Sequence, residues 1–540
     1  MPVANLELFG LGGNNRTGRE LVTAMVSADE ELADGDVAST AAAAYALRSD
    51  ADYAPLMEAI GDSQFVLLGE STHGTAEYYA HRAAITKRLV ETKGFSVVLI
   101  EGDWPAAYRV SRYISSEGSM DRSAHEALAG FAGFPSWMWK NERFASLIEE
   151  LRTHNEFVRA EGTEATATLA ALGDLRAAGA SEEQLEVMGF TKAAIAAASE
   201  GRPEVVLYGM DTYSVSASAR AVIEFLEIVD PDAAALTRSR YAVFEPFGDD
   251  MKEYGRQVTC GELASRAEEI KADVASVLTE LQQNARASYS LLLGPAELLN
   301  AEQNAQVVVN GEAYFRGLYE SIGSVDTWNL RDQAMVQTCL RLVEYCRAMS
   351  GGATPKIVLW AHNSHVGDAS ATSMAAREEW NLGQMLRQTF GADGNADSGG
   401  VFLCGFGTYT GTVTAAEEWG RPPQTFELAD AEPGSISDFM HKVLRAVSER
   451  ERLHGGAPAL SAAPLNALLL VLKGVSTSDP EHNKVQQAAR AVLREPRRQR
   501  AVGVCYRKAT EASSHYVEAS LATQFDAWIH VDRTTALTPL

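Results

Sequence analysis

A carboxylate and an imidazole stand three residues apart directly after a short apolar run. Glu70 and His73 follow residues 65–68 in the segment Gly69-Glu70-Ser71-Thr72-His73. A carboxylate beside an imidazole fixes its tautomer and raises its basicity, which suits a general base that takes a proton from water. The same spacing returns at His362 and His365, after the run 357–360. Two imidazoles there are suited to holding a substrate oxygen or stabilising an oxyanion. Glu101 and Asp103 follow the run 97–100, Asp211 follows 205–208, and Asn363 stands between the later histidines. One Glu-x-x-His spacing says little, since strand ends and loops are polar anyway. The recurrence of such side chains after four separate apolar runs carries the reading.

The elements that must position these residues are those of an α/β fold with a mostly parallel central sheet flanked by helices. Continuous apolar runs at 65–68, 97–101, 205–208, 357–360, 401–404, 467–472, 501–505 and 527–531 predict strands covered on both faces. A helix is predicted over 76–93, closed by Gly94 at the position that favours a left-handed cap. Residues 65–101 thus form a strand–helix–strand unit with parallel strands. Such sheets bind ligands beyond the carboxyl ends of their strands, where the polar residues collect. Residues 1–50 form an N-terminal extension and 51–540 the α/β domain. The Ala/Glu-rich stretch 155–200 and the amphipathic stretch 240–350 are helical insertions, the latter predicting a lobe over the active-site edge of the sheet. A Gly/Asp-rich surface loop is expected at 391–400.

Of the 540 residues 46% are apolar and 22% charged, as in ordinary globular chains. A formal net charge of −25 argues against a nucleic-acid partner, because no Lys/Arg surplus offsets phosphate repulsion. Five cysteines without CxxC spacing fit free thiols in a reducing compartment. No basic region followed by an apolar run opens the chain, and no run approaches a membrane span. The expectation is a cytoplasmic protein without membrane or nucleic-acid partners.

Three chemistries compete for the cluster. His and Glu at these spacings suit zinc or iron, although no His-Glu-x-x-His and no Cys ligand set is present. The segment 69–73 resembles the G-x-S-x-G nucleophile elbow, with Ser71 as nucleophile, but His73 replaces the final Gly. Alternatively, His73 activates water directly, with no covalent intermediate. Arg82, on the first turns of the predicted helix, is placed to reach back toward the strand ends. Trp137 and Trp139 are candidates for an aromatic wall against an apolar substrate, or for core. His81, His125, His154, His441, His454 and His482 read as solvated or structural.

The stretch from FVLLGESTHGTAEYYAHR at residue 65, followed by VVLIEGDWP, WMWKNERF, YGMDTYS, WNLRDQAM and KIVLWAHNSH, resembles the erythromycin esterase family. The closing segments GFGTYTGTVTAAEEWG and SHYVEASLATQFDAWIHVDRTTALTPL resemble its larger bacterial homologues. The resemblance runs from about residue 50 to the C-terminus. It implies an α/β core with a helical lobe and a deep, open cleft. It also implies hydrolysis of an ester or lactone, macrolide rings included, by water attack without a serine nucleophile or a cofactor. On that basis His73 is the general base and Glu70 orients it or the water. Arg82, His362 and His365 bind or polarise the substrate carbonyl, and Glu101 positions partners. Asp103, Trp137, Trp139, Asp211 and Asn363 are the expected substrate contacts. The resemblance counts against the metal and Ser71 readings. A binding protein that kept the cleft without efficient catalysis, akin to haem-binding relatives of the fold, is the alternative from another class. The natural substrate and the oligomeric state are not given by the sequence.

Overall fold

The computed structural model describes residues 35–116, 118–177, 202–320, 325–391, 400–454, 464–473 and 479–540, with Ser181 and Leu185. Most of the expected N-terminal extension, the end of the 155–200 stretch and the 391–400 loop lie outside them. The strands are β1 (Tyr45–Ala46), β2 (Phe65–Leu68), β3 (Phe95–Asp103), β4 (Val206–Asp211), β5 (Lys356–Trp360), β6 (Val401–Ala415), β7 (Gln424–Leu428) and β8 (Ala467–Val471). After β9 (Arg497–Arg500) and β10 (Tyr516–Ala519) comes β11 (Ala527–Thr534). The main sheet runs β1-β8-β11-β6-β2-β5-β3-β4, with β7 on the far end of β6. From β11 to β4 all neighbours are parallel; β1, β7 and β8 pair antiparallel.

All four residues of β2 are buried, and their alternation feeds two cores. Val66, Leu68, Val98, Ile100, Val358 and Trp360 face one core with Tyr78, Tyr79, Ile85 and Leu89 of α1 (Ala76–Lys93). Phe65, Leu67, Val97, Leu99, Ile357 and Leu359 face the other. Each such side chain contributes about 1.5–3 kcal/mol by leaving water. Helix α1 ends as its sequence predicts, with Gly94 left-handed at φ 71°. Its first turn is tied down by Glu77, which accepts the Thr535 backbone N–H at 2.8 Å.

Strands β2 and β3 are parallel as expected, but β5 lies between them. Helix α2 (Trp104–Ser115) follows β3, and Glu142–Ala177 forms the long helix α3. The helical lobe begins earlier than its predicted boundary. It comprises α4 (Val215–Val229), the helix Pro231–Tyr241, α5 (Met251–Cys260), α6 (Ala267–Leu293) and α7 (Pro295–Glu320) around their own core. Helix α8 (Val325–Met349) instead covers the sheet, through Met335, Cys339 and Leu342. At Gly311 of α7 an added Cβ would lie 2.5 Å from the Thr212 carbonyl, so the lobe presses directly on the end of β4.

Two strand predictions fail for identifiable reasons. Residues 501–505 are not a strand: Val502 leaves the β9–β10 ribbon to bond the turn after β2, donating to Ser71 O at 2.8 Å and accepting from His73 N at 3.3 Å. Strand β6 runs on to Ala415 through a Gly/Thr-rich stretch that carries no apolar signal. Gly405 and Gly407 there lie under the Trp528 ring, where an added Cβ would approach to 2.6 and 2.4 Å. No helix among the described residues is long and apolar enough to cross a membrane.

Candidate active site

The carboxyl ends of β2, β3, β4 and β5 meet in one buried cluster. Glu70, two residues past β2, is fully buried. Its Oε1 lies 3.0 Å from His73 Nδ1, and its Oε2 accepts from Arg82 Nη2 at 2.7 Å. A carboxylate at Nδ1 keeps the ring proton there and leaves Nε2 as the acceptor. Arg82 is fully buried between the rings of Tyr79 and Trp360, 4.5 and 4.6 Å from their centroids. Its Nε and Nη1 find no hydrogen-bond partner among the described residues. Its Nη2 thus pairs with Glu70.

The His362 ring lies 4.9 Å from the His73 ring. His362 Nδ1 accepts from the Ser364 backbone N–H at 3.2 Å and lies 2.8 Å from the Ser364 hydroxyl; with Nδ1 as the acceptor of both, the ring proton is assigned to Nε2. That Nε2 is buried and has no hydrogen-bond partner among the described residues; the Ser71 backbone acts on the ring without meeting hydrogen-bond geometry. Burial and the neighbouring His73 push the His362 pKa down to about 3, so the ring is neutral. An unpaired buried donor of this kind is costly unless something else accepts from it.

Glu101, in β3, is the hub of the second half. Its Oε2 accepts the His362 backbone N–H at 2.9 Å, and its Oε1 accepts from Arg331 Nη2 at 2.7 Å. Burial works to raise the Glu101 pKa, but His365 and Arg331 hold it well below the carboxylate range. Arg331 also makes a fork to Asp211, Nε to Oδ1 at 3.0 Å and Nη2 to Oδ2 at 2.7 Å. Asp211 thus fixes Arg331.

His365 faces Asp332 through Nδ1, 3.0 and 2.9 Å from its two oxygens, and stacks on Trp328 at 4.5 Å. Burial opposes a charge on His365, yet Asp332 and Glu101 outweigh it and lift its pKa to about 9. Burial raises the Asp332 pKa as well, so the pair holds one proton tightly; two oxygens at Nδ1 place it on the ring. Arg331 Nη1 stands 2.9 Å from Nε2, which suits the neutral ring; once protonated, Nε2 has Glu101 Oε1 as acceptor 3.4 Å away.

Sequence reasoning did not assign Trp328, Arg331 and Asp332. Their signal lies in WNLRDQAM, where positions i, i+3 and i+4 share one face of α8. Other expectations are corrected. Trp137 and Trp139 form no wall: both are core residues, and Trp139 Nε1 donates to the Glu101 carbonyl at 3.0 Å. Asn363 spends its amide on the Phe406 backbone, donating at 2.7 Å to the carbonyl and accepting at 3.3 Å from the N–H. It braces β5 against β6. Ser71 Oγ is hydrogen-bonded to the Tyr78 hydroxyl at 2.8 Å. Asp103 sits at the start of α2, where burial and the charges of Asp211 and Asp249 push its pKa up to about 7. His441, read as solvated or structural, is structural in that it bonds Asp532 at 2.7 Å and stacks on Tyr409.

The cluster residues Glu70, His73, Arg82, Glu101, His362 and His365 are all buried. A 530 Å³ cavity lined by Tyr108, Arg112, Arg220 and Asn304 shares no residue with them. Among the described residues no three His, Cys, Asp or Glu side chains are grouped so as to hold a metal ion. Arg331 provides the positive charge between Glu101 and Asp211.

The sequence model of a protein family described as erythromycin esterase matches residues 90–174 and 182–534, well over half of the chain. The match begins after Glu70, His73 and Arg82 and includes the remaining cluster residues. Three solved structures share the fold. A succinoglycan biosynthesis protein is 18% identical, with TM-score 0.63, covering 94% of this chain and 99% of that one. A Bacillus cereus protein is 17% identical, with TM-score 0.61 and the same coverage. A histidine-to-asparagine mutant of the erythromycin esterase EreC, in its open conformation, is 16% identical with TM-score 0.54, covering 90% and 95%. At these identities the likeness is one of fold.

Proposed function

The chain belongs to the erythromycin esterase family, and from that membership we propose that it hydrolyses carboxylic esters or lactones, macrolide-type rings among them. In this reading His73 is the general base. With its Nδ1 proton facing Glu70, its Nε2 takes a proton from water as the water oxygen bonds to the substrate carbonyl carbon. The carbonyl π electrons move onto oxygen, and His362 Nε2–H donates to the oxyanion so formed. Collapse of the tetrahedral intermediate breaks the C–O bond, and the alkoxide leaves with the proton from His73 Nε2. Arg82 positions Glu70, and Glu101 positions His362 through its backbone N–H.

The observation that carries this reading is the neutral His362 ring, whose Nε2 meets no acceptor at hydrogen-bond geometry among the described residues, beside the Glu70-oriented ring of His73. Direct water attack is preferred to a Ser71 nucleophile because Ser71 is bonded to Tyr78, not to an imidazole. The test is a mass-spectrometric screen of macrolides and generic esters for a product that has gained one water. His73→Ala should lower turnover by about 10²–10⁴-fold, with the melting temperature retained. Full activity in both His73→Ala and Glu70→Ala overturns the proposal.

A further inference from the structure

The charged cluster is buried, so whatever reaches it passes a rim, and the rim has a definite composition. Trp419, in the 416–423 connection between β6 and β7, is 41% exposed although three other segments hold its ring. Phe134 lies 4.8 Å from it and Tyr213 meets it edge-on at 6.0 Å. Lys252 of α5 places its ammonium 4.2 Å from the ring centroid. The sheet edge, the segment before α3 and the helical lobe therefore converge on one aromatic side chain.

That side chain is continuous with the chemistry. Tyr213 covers the Arg331 guanidinium at 4.9 Å, and Arg331 contacts Glu101, Asp211 and His365. On the other flank, a Cβ at Gly133, next to Phe134, would lie 3.8 Å from Asp103 Oδ2. Phe134 and Tyr213 are themselves partly exposed. The loop carrying Trp419 is fixed rather than loose. Ala416 exchanges backbone hydrogen bonds with Val504 and Tyr506, both at 2.9 Å, and Glu418 pairs with Arg507 at 2.7 Å.

We propose that Trp419, with Phe134 and Tyr213, is the specificity-determining surface that receives the apolar face of a large ester or lactone beside the buried acid–base cluster. The inference rests on the hydrolase reading above and adds the residues that select a bulky ring or acyl group over a small ester. A fixed, half-exposed aromatic offers contact area at little cost in ordering, and such contacts favour ligands that present a flat apolar face.

The experiment compares a macrolide lactone with p-nitrophenyl acetate as substrates of the full chain, the Trp419→Ala variant and the Trp419→Phe variant. Trp419→Ala should lower the ratio of kcat/KM for the lactone to that for the small ester by about tenfold, and Trp419→Phe should recover most of it. A ratio unchanged in Trp419→Ala, in a variant that melts like the parent, overturns the inference. Calorimetric binding of the lactone to His73→Ala, with and without Trp419→Ala, separates this outcome from failure of the hydrolase reading. Binding that weakens about tenfold supports the rim even if the parent turns over neither substrate. Equal binding in both overturns it.

Discussion

Burial acts in opposite senses on two titratable side chains of the cluster, pushing His362 down to about 3 and Asp103 up to about 7. His362 is thereby neutral and Asp103 keeps its proton up to about pH 7, and each makes a prediction at this scale. His362→Ala removes the donor and should lower kcat by about 10²–10³-fold with little change in KM, while His362→Gln, which keeps an N–H, should lose less; steady-state kinetics decide. Asp103 has a folded pKa above its ordinary 3.8, so the folded state favours its protonated form. Its stabilising contribution is present below that value and is lost as pH rises to about 7, above which its charge opposes those of Asp211 and Asp249. Asp103→Asn should therefore stabilise the protein by about 1–2 kcal/mol near pH 8, allowing for partial solvent screening, and by nothing near pH 4. Urea titrations at the two pH values measure it, and Asn retains the preference for a helix start.

The elements that aim these residues are short, and their precision comes from what packs on them. The turn after β2 is gripped on several sides. Asn363 N–H donates to Glu70 O at 2.8 Å, Val502 bonds Ser71 and His73, and the Gly74 carbonyl accepts from Thr414 and Leu537, both at 2.9 Å. At Gly74 an added Cβ would lie 1.8 Å from the Thr414 carbonyl oxygen, so only hydrogen fits between the turn and β6. Gly74→Ala should cost about 3 kcal/mol or more and lower the melting temperature accordingly. An unchanged melting temperature would mean that this turn is free to shift. Helix α8 shows the converse: its Trp328, Arg331 and Asp332 share one face at helical spacing, but what they meet, Glu101 and Asp211 for Arg331 and His365 for Trp328 and Asp332, comes from other elements.

For the molecule as a whole, Arg331 joins α8 to β3 and β4 through Glu101 and Asp211. Removing one partner of a buried ion network leaves the others uncompensated, so Arg331→Gln should destabilise by about 3–5 kcal/mol. Chemical denaturation should show this loss with activity falling alongside. With that guanidinium already between the carboxylates, prolonged dialysis against a chelator should leave hydrolysis unchanged; loss restored by added zinc would favour the metal reading.

The sequence by itself determined the strands that carry the cluster, the helix Ala76–Lys93 with its Gly94 cap, and the α/β class. It did so because buried parallel strands are continuous apolar runs and a left-handed cap favours glycine, both of which are local signals. It also named Glu70, His73, Glu101, His362 and His365, since polar residues after buried strands must share one sheet edge. Only the tertiary structure decided that β5 separates β2 from β3, that β6 extends past Cys404, and that Arg331 and Asp332 complete the cluster. It likewise turned Trp137 and Trp139 into core and left Trp419 exposed beside Phe134 and Tyr213. Strand order, ion pairs and the burial of an aromatic ring depend on partners from 33 to 230 residues away, and no local pattern encodes them.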